Sequence, residues 1–232
     1  MYNILVCDDD RDIAAALRIY LSAEGYCVRE VYNGADAVAA VRGGDVHLVL
    51  MDVMMPVMDG VAATAEIRSF SNVPVIMLTA KSEDADKVLG LNVGADDYVT
   101  KPFNPIEVTA RVRSHLRRYM TLGGADGASG GSAGTTIGGI TLNDDEKLVT
   151  LDGEPVSLTP TEYGVLRLLM DNPGKVFSSR EIYSRVWNDE AFGSESTVSV
   201  HIRHLREKLE INPAEPRYLK VVWGQGYKIE KS

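Results

Sequence analysis

Leu48-Val-Leu-Met-Asp52-Val-Met-Met-Pro-Val-Met-Asp59-Gly60 reads as a buried strand that stops on a carboxylate. Its apolar run is continuous rather than alternating, the pattern of a strand covered on both faces. Comparable runs lie at Asn3–Cys7, Cys27–Val31, Val73–Thr79 and Tyr98–Thr100. Between and after them, helical periodicity appears near 11–24, 35–42, 59–69, 84–93 and 105–119. Five such units predict an α/β domain on a five-stranded, doubly wound parallel sheet with strand order 2-1-3-4-5. In that order the carboxyl ends of the strands meet at one crevice, where such sheets bind their ligands.

Moving outward, Leu122-Gly-Gly-Ala-Asp-Gly-Ala-Ser-Gly-Gly-Ser-Ala-Gly-Thr135 is nearly devoid of apolar side chains. Such a composition does not offset its own ordering entropy and reads as a flexible tether. The chain therefore divides into a first domain at 1–121, a Gly/Ser/Ala-rich linker at 122–136 and a second domain at 137–232. In the second, short strand-like pieces (Ile137–Leu142, Leu148–Leu151, Pro155–Ser157) precede helical stretches near 160–172, 179–188 and 195–210. A final hairpin, Tyr218–Val222 and Gly226–Ile229, turns around Trp223-Gly-Gln-Gly226. No internal repeat is visible.

The 232 residues suffice for two domains that each bury a core, and 45% hydrophobic with 25% charged residues is an ordinary globular balance. No apolar run approaches the roughly 20 residues of a membrane span. Met1-Tyr-Asn-Ile-Leu-Val enters an apolar run without a basic leader or cleavage site, which predicts a cytoplasmic protein. The two cysteines, Cys7 and Cys27, fall at opposite ends of adjacent strands, roughly 13 Å apart, so two buried free thiols are expected. Residues 1–122 carry 12 basic and 17 acidic groups, and residues 137–232 carry 12 and 15. With a net charge of −9, a uniformly basic nucleic-acid coat is excluded, and DNA binding must rest on a local patch.

Chemistry concentrates at the strand ends. The first strand runs into Asp8-Asp9-Asp10, the third into Asp52, the fourth into Thr79-Ala80 and the fifth into Lys101-Pro102. An Asp at a strand end is often only a helix N-cap, the expected role of Asp10 or Asp12, and Lys-Pro is usually a turn. Together, at four strand ends in one crevice, they specify much more. Asp8, Asp9 and Asp52 repel one another unless a hard, oxygen-seeking cation such as Mg²⁺ lies among them. Lys101 adds a fixed positive charge and Thr79 a hydroxyl, a set suited to phosphoryl transfer onto Asp52. No Gly-x-x-x-x-Gly-Lys-Ser/Thr loop is present, so the phosphoryl group comes from elsewhere.

Leu5-Val-Cys-Asp-Asp-Asp10, Asp52-Val-Met-Met-Pro-Val-Met-Asp-Gly60, Met77-Leu-Thr-Ala80 and Gly94-Ala-Asp-Asp-Tyr-Val-Thr-Lys-Pro-Phe103 resemble the signature of response-regulator receiver domains of the CheY-like fold. The resemblance spans residues 1–119 and implies Asp52 as phosphoacceptor. It implies Mg²⁺ held by Asp8, Asp9, Asp52 and the Met54 backbone carbonyl, with Thr79, Ala80 and Lys101 around the phosphoryl group. Thr79 and Tyr98 are its switch pair, while Met54 and Lys81 tune dephosphorylation. Cys7 stands where an aliphatic residue is usual.

The charges near Tyr98 read, by themselves, as a solvated face. In the OmpR/PhoB family, which this chain resembles, the fourth helix, fifth strand and fifth helix instead form a symmetric dimer. Pairs like Lys87–Glu107, Asp97–Arg111 and Asp96–Arg118 hold it, which implies a homodimer when phosphorylated.

In 195–210, Val198, Ile202, Leu205 and Leu209 recur at helical spacing as a buried face. The opposite face offers Ser196, Val200, Arg203 and Glu207, flanked by Ser199 and His204. Alone this is an ordinary amphipathic helix. However, Leu158-Thr-Pro-Thr-Glu-Tyr163, Val198-Ser-Val-His-Ile-Arg-His-Leu-Arg-Glu-Lys-Leu209 and Val222-Trp-Gly-Gln-Gly-Tyr227 resemble the winged helix-turn-helix of OmpR/PhoB regulators. That resemblance makes 195–210 a recognition helix, with Ser199, Val200, Arg203 and His204 facing double-stranded DNA and Arg206 near phosphates. The hairpin with Trp223 and Gly224 becomes a wing over the minor groove. His204 and Trp223 stand where arginine is common, as in the vancomycin-resistance regulator branch, which predicts a shallower salt dependence.

The whole reads as a transcription regulator that is not an enzyme beyond slow hydrolysis of its own aspartyl phosphate. Its implied partners are a sensor histidine kinase, a direct- or inverted-repeat operator and RNA polymerase, with no membrane. An Mg²⁺-dependent phosphatase is the rival reading, but it would want a second Asp two residues after the nucleophile, where Met54 stands. A receiver that dimerises without phosphorylation is a third.

Overall fold

The computed structural model describes residues 1–80, 93–123, 134–187 and 195–231. They form two compact units, Met1–Tyr119 and Met120–Ser232. In the first, β1 (Asn3–Cys7), β2 (Cys27–Val31), β3 (Leu48–Asp52), β4 (Val75–Ala80) and β5 (Asp97–Lys101) make one sheet, ordered β2-β1-β3-β4-β5. Every pairing in it is parallel. This is the expected architecture and strand order.

Among the described residues the helices are α1 (Arg11–Ala23), α2 (Gly34–Arg42), α3 (Gly60–Arg68) and α4 (Pro105–Gly123). Three of them start on the short polar side chain that ends the preceding loop. Asp10 accepts from the backbone N–H groups of Asp12 and Ile13, Asn33 from that of Asp36, and Asp59 from that of Ala62. Each such cap satisfies amide groups that have no partner within the helix. The expected helix at 84–93 lies almost wholly outside the described residues.

Because side chains alternate across a strand, β1 and β3 present apolar groups to both faces. Ile4, Val6, Leu48 and Leu50 join Leu17 and Leu21 of α1 and Val108, Val112 and Leu116 of α4 in one core. Leu5, Cys7, Val49 and Met51, on the other face, are buried as well. The edge strand β2 is only half covered, which corrects the expectation for the cysteines. Cys7 is buried, but Cys27 is exposed, and both are free thiols. The register sets Cys27 opposite Asn3 and Val31 opposite Cys7, so the two cysteines sit at opposite ends of the ladder.

The second unit holds an antiparallel sheet of β6 (Thr135–Ile137), β7 (Ile140–Asn143), β8 (Leu148–Leu151) and β9 (Glu154–Pro155). Three helices follow, α5 (Pro160–Met170), α6 (Ser179–Trp187) and α7 (Glu195–Leu209), then the hairpin of β10 (Leu219–Val222) and β11 (Gly226–Ile229). The stretch Ile137–Leu142, expected as one strand, is two: the chain reverses at Gly138-Gly139, with Gly138 in the left-handed region at φ +59°. The Gly/Ser/Ala-rich stretch is flanked by regular structure, since α4 runs to Gly123 and β6 begins at Thr135. Tyr163, Leu166, Phe177, Ile182, Trp187, Val198, Ile202 and Leu205 lie at the centre of the second core. Among the described residues no helix is long and apolar enough to cross a membrane.

Candidate functional site

The carboxyl ends of β1, β3 and β5 bring together the carboxylates and the lysine. Asp52, at the last position of β3, is 6% exposed, and Asp8, just past β1, is fully buried. Lys101 Nζ lies 2.7 Å from Asp8 Oδ2 and 2.7 Å from Asp52 Oδ1, bridging the two strands. The remaining oxygens are held by main chain: Asp52 Oδ2 accepts from Met54 N at 3.1 Å and Asp8 Oδ1 from Asp10 N at 3.0 Å. Asp9 is exposed, yet one oxygen from each of Asp8, Asp9 and Asp52 fits within 4.8 Å of the others. The Lys101–Pro102 peptide bond is cis.

Electrostatics at this site pull in opposite directions. Burial raises the Asp52 pKa, Lys101 opposes the rise, and the Asp8 and Asp9 charges reinforce it. Burial alone would lower the Lys101 pKa, but its bonds to Asp52 and Asp8 outweigh it and hold the ammonium above its usual value. Lys101 is therefore a permanent cation beside the acceptor oxygen. Thr79, at the next strand end, is buried, and its hydroxyl donates to the Ala80 carbonyl at 3.3 Å. Tyr98 is half-buried on β5, and Ala80 is exposed. Cys7 makes no nucleophile here: burial pushes its thiol up to about 12, and its sulfur rests 3.3 Å from the Asn33 carbonyl.

One more residue shapes the pocket, by lacking a side chain. A Cβ on Gly60 would fall 2.0 Å from the Asp52 carbonyl oxygen and 2.9 Å from Met51 Cγ. Only glycine lets α3 start against the strand that carries Asp52.

The charged residues expected at a dimer face are largely engaged inside the chain. Asp97 is fully buried, 2.7 Å from Arg111 Nη1 and 3.3 Å from His115 Nε2. Burial would raise the Asp97 pKa, but the Arg111 charge and the His115 bond overcome it and hold the carboxyl at about 2. Arg111 also binds Glu107 at 2.9 Å, one helical turn away. His115 itself is lowered by burial, against the pull of Asp97. Arg118 Nη1 approaches His115 Nδ1 at 3.4 Å. Asp96 is fully buried, with Oδ2 2.7 Å from Arg68 Nη2 and accepting from Val75 N at 3.0 Å, an in-chain pairing that the sequence reading did not include. Lys87 and Lys81 lie outside the described residues. Sequence reasoning missed His115, four positions after Arg111 and readable from that spacing. It also missed Arg68, whose partner lies 28 residues away and left no local signal.

On α7 Ser199, Arg203, Glu207 and Lys208 are exposed. Val200 and His204, expected on the exposed face, are both 6% exposed and turned inward. Their side chains fall on the flank packed toward α5, where His204 Nδ1 faces Glu162 Oε1 at 3.6 Å. Arg206 is also corrected, since its Nε and Nη2 donate to the Leu219 carbonyl at 3.0 and 2.8 Å and tie α7 to β10. Arg203 pairs with Glu207 at 2.8 Å on the outside. Trp223, by contrast, is 88% exposed at the hairpin tip, beside Gly224 at φ +72°. The hairpin is seated by reciprocal backbone bonds between Phe177 and Tyr227, each 2.9 Å.

With these sites in view, comparison with known proteins is informative. Residues 4–113 match the family described as response regulator receiver domain, and residues 153–229 match the one described as transcriptional regulatory protein, C terminal. The chain is 41% identical over 230 residues to the regulatory protein VanR of Enterococcus faecium, covering 99% of each. It is 40% identical over 229 residues to the transcriptional regulatory protein ResD of Bacillus subtilis (strain 168), covering 98% of this chain and 95% of that one. Among solved structures, the Thermotoga maritima response regulator DrrB, an OmpR/PhoB homolog, aligns over 99% of both chains with 31% identity and a TM-score of 0.51. A mutant of RitR aligns over 100% of both chains at a TM-score of 0.77, and its 24% identity speaks to fold alone.

Proposed function

Since the chain belongs to the OmpR/PhoB family of response regulators, close to VanR, we propose that Asp52 accepts a phosphoryl group from a sensor histidine kinase and thereby controls binding of the second domain to an operator. A receiver joined to a DNA-binding output domain is a transcription regulator of a two-component system. The observation that carries the phosphorylation step is the buried Asp52 carboxylate with Lys101 Nζ at 2.7 Å, among Asp8 and Asp9.

In that reaction a carboxylate oxygen of Asp52 attacks phosphorus, the bond from phosphorus to the donor imidazole nitrogen breaks, and an acyl phosphate forms. Lys101 is poised to pair with the transferred oxygens while still tied to Asp8. The donor set fits Mg²⁺: three carboxylates offer hard oxygens within 4.8 Å of one another, and the Met54 carbonyl would complete the protein ligands. Bound there, Mg²⁺ would supply positive charge against the phosphoryl oxygens. No second catalytic carboxylate stands two residues after Asp52, so the residues act as acceptor and not as a turnover catalyst, apart from slow loss of the phosphoryl group to water.

The Thr79 hydroxyl, held at 3.3 Å by its neighbour's carbonyl, would turn to the phosphoryl oxygens. Tyr98, half-buried one strand away, would take up the space, a two-state repacking driven by local charge. A symmetric dimer would form on the face of β5 and α4 that carries Glu107, Arg111 and Arg118. Asp97 and Arg111 would exchange their in-chain pairing for a pairing across the two-fold axis. Ser199 and Arg203 would enter the major groove and the Trp223–Gly224 tip the minor groove, with RNA polymerase as a further partner. A cytoplasmic location follows from this DNA-bound role.

The test is incubation of the full chain with Mg²⁺ and acetyl phosphate beside Asp52→Ala, reading intact mass and oligomeric size. One phosphoryl adduct on the wild type alone, with a shift to dimer, is expected. An adduct that persists in Asp52→Ala moves the acceptor elsewhere. An adduct without a size change removes the dimer from the mechanism.

A further inference from the structure

A second cluster of ligand-type side chains lies in the output domain, between its first helix and its DNA-reading helix. His201 and His204 are one turn apart on α7 and so share a face, and that face packs on Glu162 of α5. All three residues are at least nine-tenths buried. One donor atom from each lies within 4.8 Å of the other two.

The spacing is that of co-ligands. Glu162 Oε1 and His204 Nδ1 are 3.6 Å apart, longer than a hydrogen bond between such atoms, which runs to about 3.2 Å. Nitrogen and oxygen ligands about 2.0–2.2 Å from a tetrahedral zinc ion stand roughly 3.4 Å from each other. The other carboxylate oxygen is already supported, as it is at liganding carboxylates: Oε2 accepts from Thr159 N at 2.8 Å and from Lys208 Nζ at 2.6 Å. Those bonds leave Oε1 turned to the imidazoles and fix its direction. The Trp187 ring, 5.4 Å from that of His201, covers the cluster on one side.

We propose that Glu162, His201 and His204 bind a divalent transition-metal ion of the zinc type, which clamps the recognition helix α7 to α5. Two imidazoles and one carboxylate are a borderline donor set that prefers such ions to Mg²⁺, so the site is chemically distinct from the all-oxygen cluster around Asp52. Metal supply would then set how firmly the recognition helix is held, independently of phosphorylation.

The experiment uses the chelator-treated full chain in excess Mg²⁺, without phosphodonor or DNA, so its failure and that of the phosphorylation reading are separable. Zinc affinity is measured by competition with a chromogenic chelator, and ligand geometry by the visible absorption of added Co²⁺. The wild type should take up one equivalent with the intense spectrum of a low-coordinate, imidazole-bound ion, and its thermal midpoint should rise with zinc. His204→Arg puts a permanent cation opposite Glu162 and should lose at least tenfold in affinity together with the midpoint shift. His204→Gln serves where the arginine variant does not unfold cooperatively. Equal affinity and equal spectra in the wild type and a folded His204 variant would overturn the proposal, as would no uptake at equimolar metal.

Discussion

Arg111→Met removes the guanidinium that neutralises Asp97 and leaves a side chain of similar bulk. Asp97 is 1% exposed, so its charge has no access to water once Arg111 is gone. The folded-state pKa of about 2, against 3.8 for an ordinary aspartate, corresponds to about 2 kcal/mol favouring the ionised form. Breaking a buried pair from one side costs more, about 3–5 kcal/mol, because the remaining charge is stranded. For a unit of this size that is roughly 10–20 °C in Tm. The pH dependence has a definite sign. In the wild type the Asp97 pKa is depressed, so the stabilisation is full above about pH 4 and is lost as pH falls toward 2. In the variant, burial is opposed by His115 but no longer by Arg111, so the carboxyl rises from its depressed value. A proton taken up by Asp97, or by His115 beside it, then costs the variant less than the wild type. The deficit should therefore be largest near pH 7 and shrink as pH falls toward about 5. Thermal unfolding followed by circular dichroism across that range measures it. A loss under about 1 kcal/mol, or one that does not change with pH, refutes the claim that Arg111 serves chiefly as the buried counter-ion of Asp97.

Gly60→Ala should destabilise the receiver by about 1–3 kcal/mol, because its Cβ would overlap the Asp52 carbonyl. It should also slow phosphoryl acceptance from acetyl phosphate by more than the fraction unfolded explains, as rates and unfolding curves taken on one preparation will tell. Trp223→Ala should leave stability within about 0.5 kcal/mol of the wild type, as befits an exposed tip. It should weaken DNA binding by roughly tenfold if the indole packs against sugars or bases, as fluorescence anisotropy will measure.

The receiver was legible in the sequence because each of its functional residues is tied to a strand end. Once the apolar runs were aligned, Asp8, Asp52, Thr79 and Lys101 had one place to go, and the long lysine side chain reaches past the end of β4 to make its two 2.7 Å contacts at the ends of β1 and β3. The dimer face was read less well. Sequence gives the charges on β5 and α4 but not which are already paired, and Asp96 is taken by an arginine of α3 through a contact with no periodicity to betray it. On the expected recognition helix, two residues are buried that the sequence placed outside. A helical wheel sets Val200 opposite Val198 and His204 on the flank of that outer face, yet Val200 and His204 are both 6% exposed. Periodicity marks one buried stripe and does not show that neighbouring elements also cover a second flank, as Glu162 of α5 does at His204. Glu162 closes a capping box with Thr159, and nothing local indicated that its other oxygen would face an imidazole from α7.

Those pairings bear on how an acidic chain reads an acidic polymer. Counting cations on α7 suggests a basic helix with Arg203, Arg206 and Lys208 along it. The structure removes two of them from that tally: Arg206 is bound to the Leu219 carbonyl, and Lys208 to a carboxylate that is itself buried. Arg203 remains, in an exposed pair with Glu207 that contributes little to stability and so exchanges readily for a phosphate or a base edge. Each phosphate neutralised adds about 0.9 to the slope of log affinity against log salt, so a helix offering one such cation supports a shallow slope. In the DNA-binding role proposed above, α7 would then contribute mainly through groups that salt does not screen, its exposed hydroxyls, beside the indole of Trp223 at the hairpin tip. An arginine at that tip would add long-range attraction, whereas a tryptophan adds contact area only after docking. In the proposed role, tryptophan in place of arginine would therefore shift discrimination from encounter toward the fitted complex, where groove shape and sequence are felt.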